Sequence, residues 1–435
     1  MRLATEPRTD YLHWDKLRHL VPPGGLSPEE WWLGIKLRRE GLLKPLPLLD
    51  KQGNAFRVGV PDLIQAELHD IDVRAGRSIG AWEPVTNPQT RDRYLIRSLI
   101  EEAVTSSQLE GAVVTREVAK EMIRTGRTPH DIGERMILNN YLTMQRIVEL
   151  QASALSPDMV FHIHRLVTER TLDDPAAAGR LRRPDEQRVV GDDFGEVFHD
   201  PPAAEELPAR LAAMCDFANG RTPGFFLHPA MRAIVLHFWL AYDHPFVDGN
   251  GRTARALFYW AMLHAGYWLF EFISISRILK KAPVKYGMSF LYSETDDNDL
   301  TYFVLAQSKA IRQAVDELHA YIDRKTAEVR AATAQVRALG FFNHRQAALI
   351  LHAMKHPHHE YTFYGHAKSH NVVHQTARTD LLELKDCGLL NMKKRGRVMV
   401  FTVPANLLEQ LKQLEENADG ANSIAQCRTP GVRSD

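Results

Sequence analysis

Near the middle of the chain stand His244-Pro245-Phe246-Val247-Asp248-Gly249-Asn250-Gly251-Arg252 and, three residues on, Arg255. A histidine, a carboxylate, a Gly-Asn-Gly turn and two arginines together suit gripping a nucleoside triphosphate and transferring part of it. Imidazole titrates near neutrality, so His244 can take a proton from an attacking hydroxyl. Mg²⁺ prefers oxygen and often uses one carboxylate plus phosphates, which makes Asp248 its natural ligand. The glycines let backbone approach a phosphate closely. Arg252 and Arg255 share one side of a helical turn, and guanidinium forks match phosphate oxygens.

The flanking segments must position this loop. Met231–Tyr242 is apolar nearly all round and reads as a buried helix, ended by Pro245. Thr253–Ala265, with Ala256, Leu257, Trp260, Ala261 and Leu263, reads as a second helix stopped by Gly266. Gly249-Asn250-Gly251 then lies at a helix N-terminus, where free N–H groups and the helix dipole favour anions. Any one of these residues alone would read as part of a polar loop; their combination does not.

The loop resembles the signature of the Fic family, H-x-F-x-(D/E)-G-N-G-R-x-x-R, met at every specified position from His244 to Arg255. The resemblance implies a helical core and transfer of AMP from ATP to a protein hydroxyl. It implies His244 as general base and Asp248 as the Mg²⁺ ligand. Phe246, Gly249, Asn250, Gly251 and Arg252 become nucleotide-binding positions, and Arg255 the contact of the terminal phosphate. Related kinases have Ala and Lys in place of Gly249 and Gly251, and related phosphocholine transferases have Ala in place of Gly249. Both glycines are present, which favours nucleotidyl transfer.

Ser106-Ser107-Gln108-Leu109-Glu110-Gly111 follows a helical run from Tyr94 to Glu102, with i,i+4 pairs Leu95/Leu99 and Ile96/Ile100. By itself this is an amphipathic helix with a solvated glutamate at its end. Beside the Fic-like loop it resembles the family's inhibitory pattern, (S/T)-x-x-x-E-(G/N), met at Ser106, Glu110 and Gly111. The resemblance implies an inhibitory helix over about 94–111 with Glu110 on Arg255. A carboxylate there occupies the fork that should hold the terminal phosphate, so the α-phosphate is not brought in line with the hydroxyl. In some relatives the same glutamate positions water to remove AMP, and de-AMPylation stays an alternative.

Gln187–Gly191 and Glu196–Phe198 around Asp192–Gly195 read as a β-hairpin with a polar turn, stopped by Pro201-Pro202. The hairpin resembles the Fic flap, approached through Gly179–Arg182. A target protein is expected to dock on 187–198 by strand addition, with Val189 and Val190 among the nucleotide-binding positions. Tyr286 is carried over as a contact of the adenine; a plain core tyrosine is an equal reading.

A chain of 435 residues has room for two or three domains, with the apolar and charged fractions of a globular protein. Its formal net charge of zero offers no global attraction to nucleic acid or membrane. Three widely spaced cysteines, Cys215, Cys387 and Cys427, exclude a disulfide framework and point to a reducing compartment. Met1–Asp10 is polar and no apolar run is long enough for a bilayer, so a cytoplasmic protein with no membrane partner is expected.

Residues 1–90 read as an N-terminal extension packed on the core, with a capping box at Ser27 and Glu30 and a short strand in Phe56–Pro61. The Fic-type core occupies 91–330. Residues 338–404 resemble a winged helix-turn-helix, with helices over Arg345–Ala353, Thr362–Lys368 and Val373–Leu384. Leu389-Leu390 and Val398–Val403 would flank a basic turn, Lys393–Arg397. Nine Lys and Arg against four Asp and Glu over 340–404 make this segment basic. DNA is an expected partner there, although Asp380, Glu383 and Asp386 argue against tight contact and such modules also dimerise or dock proteins. A homodimer is a further expectation, as is a disordered tail over 415–435. The fold class is therefore mainly α: a Fic-type helical core with a small β-hairpin flap, plus a C-terminal winged-helix domain. The function from another class is a winged-helix DNA-binding regulator that uses the Fic fold as a nucleotide sensor.

Overall fold

The computed structural model describes residues 10–76, 88–186, 188–191, 197–338, 342–357, 359–396 and 398–418. Gln187 and 192–196 of the expected flap, Arg397 of the expected basic turn, the extreme N-terminus and the tail from 419 lie outside them. The chain divides into two compact units, residues 1–78 with 95–318, and residues 79–94 with 319–435.

In the first unit, α1 (Pro28–Glu40) starts at a reciprocal cap: Ser27 Oγ accepts from the Glu30 N–H, and the Glu30 carboxylate accepts from the Ser27 N–H. Strands β1 (Lys44–Leu49) and β2 (Ala55–Val58) form an antiparallel hairpin. Their period-two pattern turns Leu46, Leu48, Phe56 and Val58 into the main core. Helices α2 (Asp62–Ala75), α3 (Pro88–Leu109), α4 (Arg116–Thr125), α5 (Ile132–Leu150) and α6 (Pro157–Val167) follow. The hairpin of β3 (Val190–Gly191) and β4 (Val197–His199) comes next, then α7 (Leu207–Ala218), α8 (Pro229–Asp243) and α9 (Asn250–His264). Helices α10 (Ile275–Lys281), α11 (Pro283–Thr295) and α12 (Thr301–Ala338) complete the order; residues of α3 from Leu95 and of α12 through Leu318 belong to this unit.

Helices α8 and α9 are the centre of that core. All of α8 is buried except Pro229, Arg232 and Ala241, and all of α9 except Gly251 and His264. Helices apolar on every side lie inside a domain, and each fully buried Leu or Phe contributes about 1.5–3 kcal/mol. The core thus holds rigid the two helix ends between which the loop is strung. Helix α9 begins at Asn250, three residues before the sequence predicts. Gly249, at φ 79°, turns the chain there, and its carbonyl accepts from the Thr253 N–H and Oγ at 2.9 and 2.8 Å.

The flap hairpin is shorter than expected. The Arg188 guanidinium donates to the Val247 carbonyl at 3.1 Å, which draws the chain ahead of Val190 toward the loop instead of along β4.

In the second unit α13 (His344–Lys355), β5 (Tyr361–Thr362), α14 (Phe363–His370), α15 (His374–Asp386), β6 (Asn391–Arg395), β7 (Val398–Thr402) and α16 (Leu407–Ala418) surround their own apolar cluster. The sheet order is β5-β7-β6. Three expectations need correction here. Leu389 and Leu390 are core residues before the strand, and the basic run itself forms β6, paired from Asn391↔Thr402 to Arg395↔Val398. A strand at a sheet edge gains from charge, which blocks pairing with other chains. Asp380 is buried (2 % exposed), not on the surface. Finally, the unit runs past 404: Leu407 and Leu411 of α16 enter its core, and the helix extends through Ala418 into the segment expected to be disordered. Helix α12 likewise continues to Ala338, past 330.

Candidate active site

His244 ends α8 in the left-handed region, at φ 43°, a conformation uncommon for any side chain but glycine. It is held there from three sides. Its N–H donates to the Leu240 carbonyl at 3.0 Å, and its own carbonyl accepts from Arg182 Nε at 3.0 Å. The Arg182 N–H donates to the Pro245 carbonyl at 2.9 Å, and the Arg182 guanidinium also donates to the Pro202 carbonyl. Burial lowers the His244 pKa to about 4, helped by His199 and Arg182 and opposed by Glu110. The ring is therefore neutral near pH 7 and able to accept a proton.

The loop is folded around Phe246, which the structure removes from the nucleotide-binding positions. Its ring is fully buried and stacks on His164, with centroids 3.8 Å apart and planes 8° apart. His164 Nδ1 accepts from the Gly179 N–H at 2.8 Å, so its Nε2 carries the proton and donates to the Asp248 carbonyl at 2.9 Å. Burial lowers the His164 pKa to about 4, in keeping with a neutral ring. Asn250 also departs from its expected role. Its side-chain oxygen accepts from the Phe246 N–H at 2.9 Å and its side-chain NH₂ donates to the Phe246 carbonyl at 2.8 Å. With both ends of that amide committed, Asn250 clamps the loop instead of offering its side chain to a phosphate.

The anion-binding features lie one step further on. No side chain caps the start of α9, which leaves the first-turn N–H groups for an anion. Arg252 is buried and donates to the Val167 carbonyl and to Asp248 Oδ2, each at 3.1 Å; its Nε has no partner among the described residues. An unpaired buried N–H is costly, and a phosphate oxygen would relieve it. Asp248 keeps 54 % of its side chain exposed, so a carboxylate face remains for a cation.

Arg255, also buried, is fully engaged. Its Nε donates to Ser106 Oγ at 2.8 Å, and its Nη2 to the Ser106 carbonyl at 2.9 Å and Glu110 Oε1 at 2.8 Å. Burial works against the Arg255 charge and Glu110 more than restores it, so its pKa rises. Gly251 makes the approach possible: a Cβ there would stand 2.2 Å from Glu110 Oε1 and 3.1 Å from Arg255 Nη1. Gly111, at φ 90°, lets the chain leave α3 directly after the glutamate. Tyr286 joins the same cluster, its hydroxyl 2.8 Å from His237 Nε2 and within reach of the Arg255 guanidinium.

Two groups escaped the sequence reading. Glu102, one helical turn before Ser106, is buried and pairs with no cation among the described residues. Its Oε2 accepts from the Tyr259 hydroxyl (2.8 Å), Ser274 Oγ (2.9 Å) and the Ser276 N–H (3.0 Å), and its Oε1 from Ser276 Oγ. It fastens α3 to α9 and to the start of α10. A helical signal existed: residues 102, 106 and 110 are four apart and share a face. His199 ends β4 with Nδ1 2.7 Å from Glu294 and Nε2 2.7 Å from the Tyr242 carbonyl, tying the flap to the end of α8. Val189 and Val190 lie at that hairpin with 55 % and 37 % of their surface exposed.

A buried neutral histidine at one helix end, an uncapped helix start and two buried arginines stand together on a helical core, a set of groups suited to holding an anion. The model of the Fic/DOC family matches residues 154–262, from just before α6 almost to the end of α9. Protein adenylyltransferase Fic of Nematostella vectensis is 32% identical over 168 residues, 37% of this chain and 37% of that protein. Protein adenylyltransferase fic-1 of Caenorhabditis briggsae is 35% identical over 113 residues, 26% of this chain and 20% of that protein. The chain thus aligns with well under half the length of these relatives. The crystal structure of a Fic family protein from Desulfovibrio desulfuricans superposes with a TM-score of 0.52 at 20% identity, covering 79% of this chain and 96% of that one. That likeness shows the fold: a mainly helical Fic-type architecture with small β-hairpins.

Proposed function

We propose that this chain is a protein adenylyltransferase held in check by Glu110. His244 takes the proton from a Ser, Thr or Tyr hydroxyl of the target protein. The hydroxyl oxygen bonds to the α-phosphorus of ATP as the bond from that phosphorus to the bridging oxygen breaks, and pyrophosphate leaves. Arg252, Arg255 and the first-turn N–H groups of α9 hold the phosphates where charge develops. Asp248 is the residue that would hold Mg²⁺, which when bound neutralises the departing phosphates.

The observation that carries this reading is the grip of Ser106 and Glu110 on Arg255, directly above Gly251. A fork already filled by a carboxylate is closed to a terminal phosphate, and an α-phosphate left out of line does not react. The flap supports a protein as acceptor. Its two-stranded sheet has open edges, and a target segment can add there as a strand, with specificity left to side chains.

Parallel incubations of the Glu110→Gly variant with α-labelled and γ-labelled ATP test the chemistry. Protein labelled from the α position only is the expected result. Label retained from the γ position would mean phosphate transfer and overturn the proposal.

A further inference from the structure

We infer that the second unit binds duplex DNA through the exposed arc of α15 and the edge strand β6. Residues 340–404 hold four carboxylates, and each is occupied. Asp380 is buried and accepts from Arg345 (2.7 and 3.0 Å), Asn343 (2.8 Å) and His366 (3.1 Å). Glu383 accepts from Gln346 at 2.7 Å, Glu360 from Arg395 at 2.8 and 2.9 Å, and Asp386 from Lys385 at 2.9 Å. Of the acids that read as repelling phosphate on the sequence, Asp380 is turned inward, Glu383 is half-buried against the Gln346 amide, and Asp386 pairs with Lys385. Arg378, Lys393 and Lys394 are exposed and pair with no carboxylate among the described residues.

Geometry selects the partner. Ala377, Asp380, Leu381 and Leu384 form the buried arc of α15. Its exposed positions, His374, Gln375, Arg378, Thr379, Lys385 and Asp386, are all polar. A protein-docking helix presents an apolar stripe to its partner, whereas a polar, basic, wet face is that of a DNA interface. A helix with its side chains is about 10–12 Å across, the width of the B-DNA major groove. Arg378, Gln375 and Thr379 are of the types that bond base edges there. Lys393 and Lys394, on a strand exposed along its whole length, are placed as phosphate contacts that fix register.

The test uses the full chain and a labelled random-sequence duplex of about two helical turns, followed by anisotropy between 50 and 200 mM salt. With two phosphate contacts, Lys393 and Lys394, the affinity should fall roughly 12-fold across that range. Lys393→Glu with Lys394→Glu should weaken binding and reduce the salt slope by about two, while Lys120→Glu in α4 should change neither. Selection from a random duplex pool should enrich a sequence with the wild type and lose it with Arg378→Ala. Absence of duplex binding would overturn the inference. So would tighter binding of single-stranded RNA, an equal loss from Lys120→Glu, or charge variants that change only the self-association of the chain.

Discussion

Glu110 Oε1 lies 2.8 Å from Arg255 Nη2, in the space that a Cβ on Gly251 would occupy 2.2 Å away. The glycine at the start of α9 is therefore the floor on which the carboxylate rests. Alanine at 251 must push Glu110 aside, and because the displaced atoms end a flexible side chain the fold survives. Gly251→Ala and Glu110→Gly should each cost about 1–3 kcal/mol of stability through the same lost contact. The double variant should be no less stable than the worse single one, a coupling of roughly 0.5–3 kcal/mol in a denaturation cycle. Simple additivity would mean that the two residues do not meet.

The pH dependence of transfer follows from burial of His244. The base works only when neutral, so activity is lost as pH falls through its pKa. That pKa is lowered to about 4, and Glu110 is among the groups holding it up. In Glu110→Gly the acid limb of kcat/KM should therefore lie well below the ordinary histidine value, and activity at pH 6 should match that at pH 7. A limb near 6.5 would show a solvated base.

Glu102 should act as a latch for the brake. Glu102→Gln sets an NH₂ against hydroxyl and N–H donors, and one such mismatch in a buried cluster costs roughly 1–3 kcal/mol. Looser docking of α3 on α9 should raise transfer several-fold in the chain that retains Glu110. It should add nothing to Glu110→Gly, where the brake is already gone. Equal gains in both backgrounds would place the effect of Glu102 in the active site and not in the brake.

Phe246 separates packing from ligand contact. Phe246→Ala should cost about 3–5 kcal/mol, the usual loss for emptying a buried aromatic site. Phe246→Leu should keep the KM for ATP while lowering Tm. A raised KM with unchanged Tm would return Phe246 to the nucleotide site.

The legible part of the molecule was whatever resides in consecutive residues. From His244 to Arg255 the residue types, the turn and the helix start are written in order, and the structure brings them together at one helix end with Ser106 and Glu110. Helix α8 was readable because it is apolar on nearly every side. Roles were harder to read than positions. Phe246 and Asn250 sit inside the motif yet hold the loop's shape, because a loop this short needs a plug and a clamp of its own. The Glu102 cluster joins residues up to 174 positions apart, a relation that local spacing cannot state. Asp380 could have been placed, since it lies between Ala377 and Leu384 on the apolar arc of α15. Its partners Arg345 and the buried His366 are supplied only by tertiary packing.

The proposed enzyme is a competent adenylyltransferase stopped by one carboxylate. The most direct measurement is intact mass after incubation with ATP and Mg²⁺, made side by side on wild type, Glu110→Gly and Glu110→Gly/His244→Ala. The account predicts added adenylyl groups on the single variant, little on the wild type and none on the double variant. Equal modification of the wild type and Glu110→Gly would contradict the brake, and modification that survives loss of His244 would contradict the base.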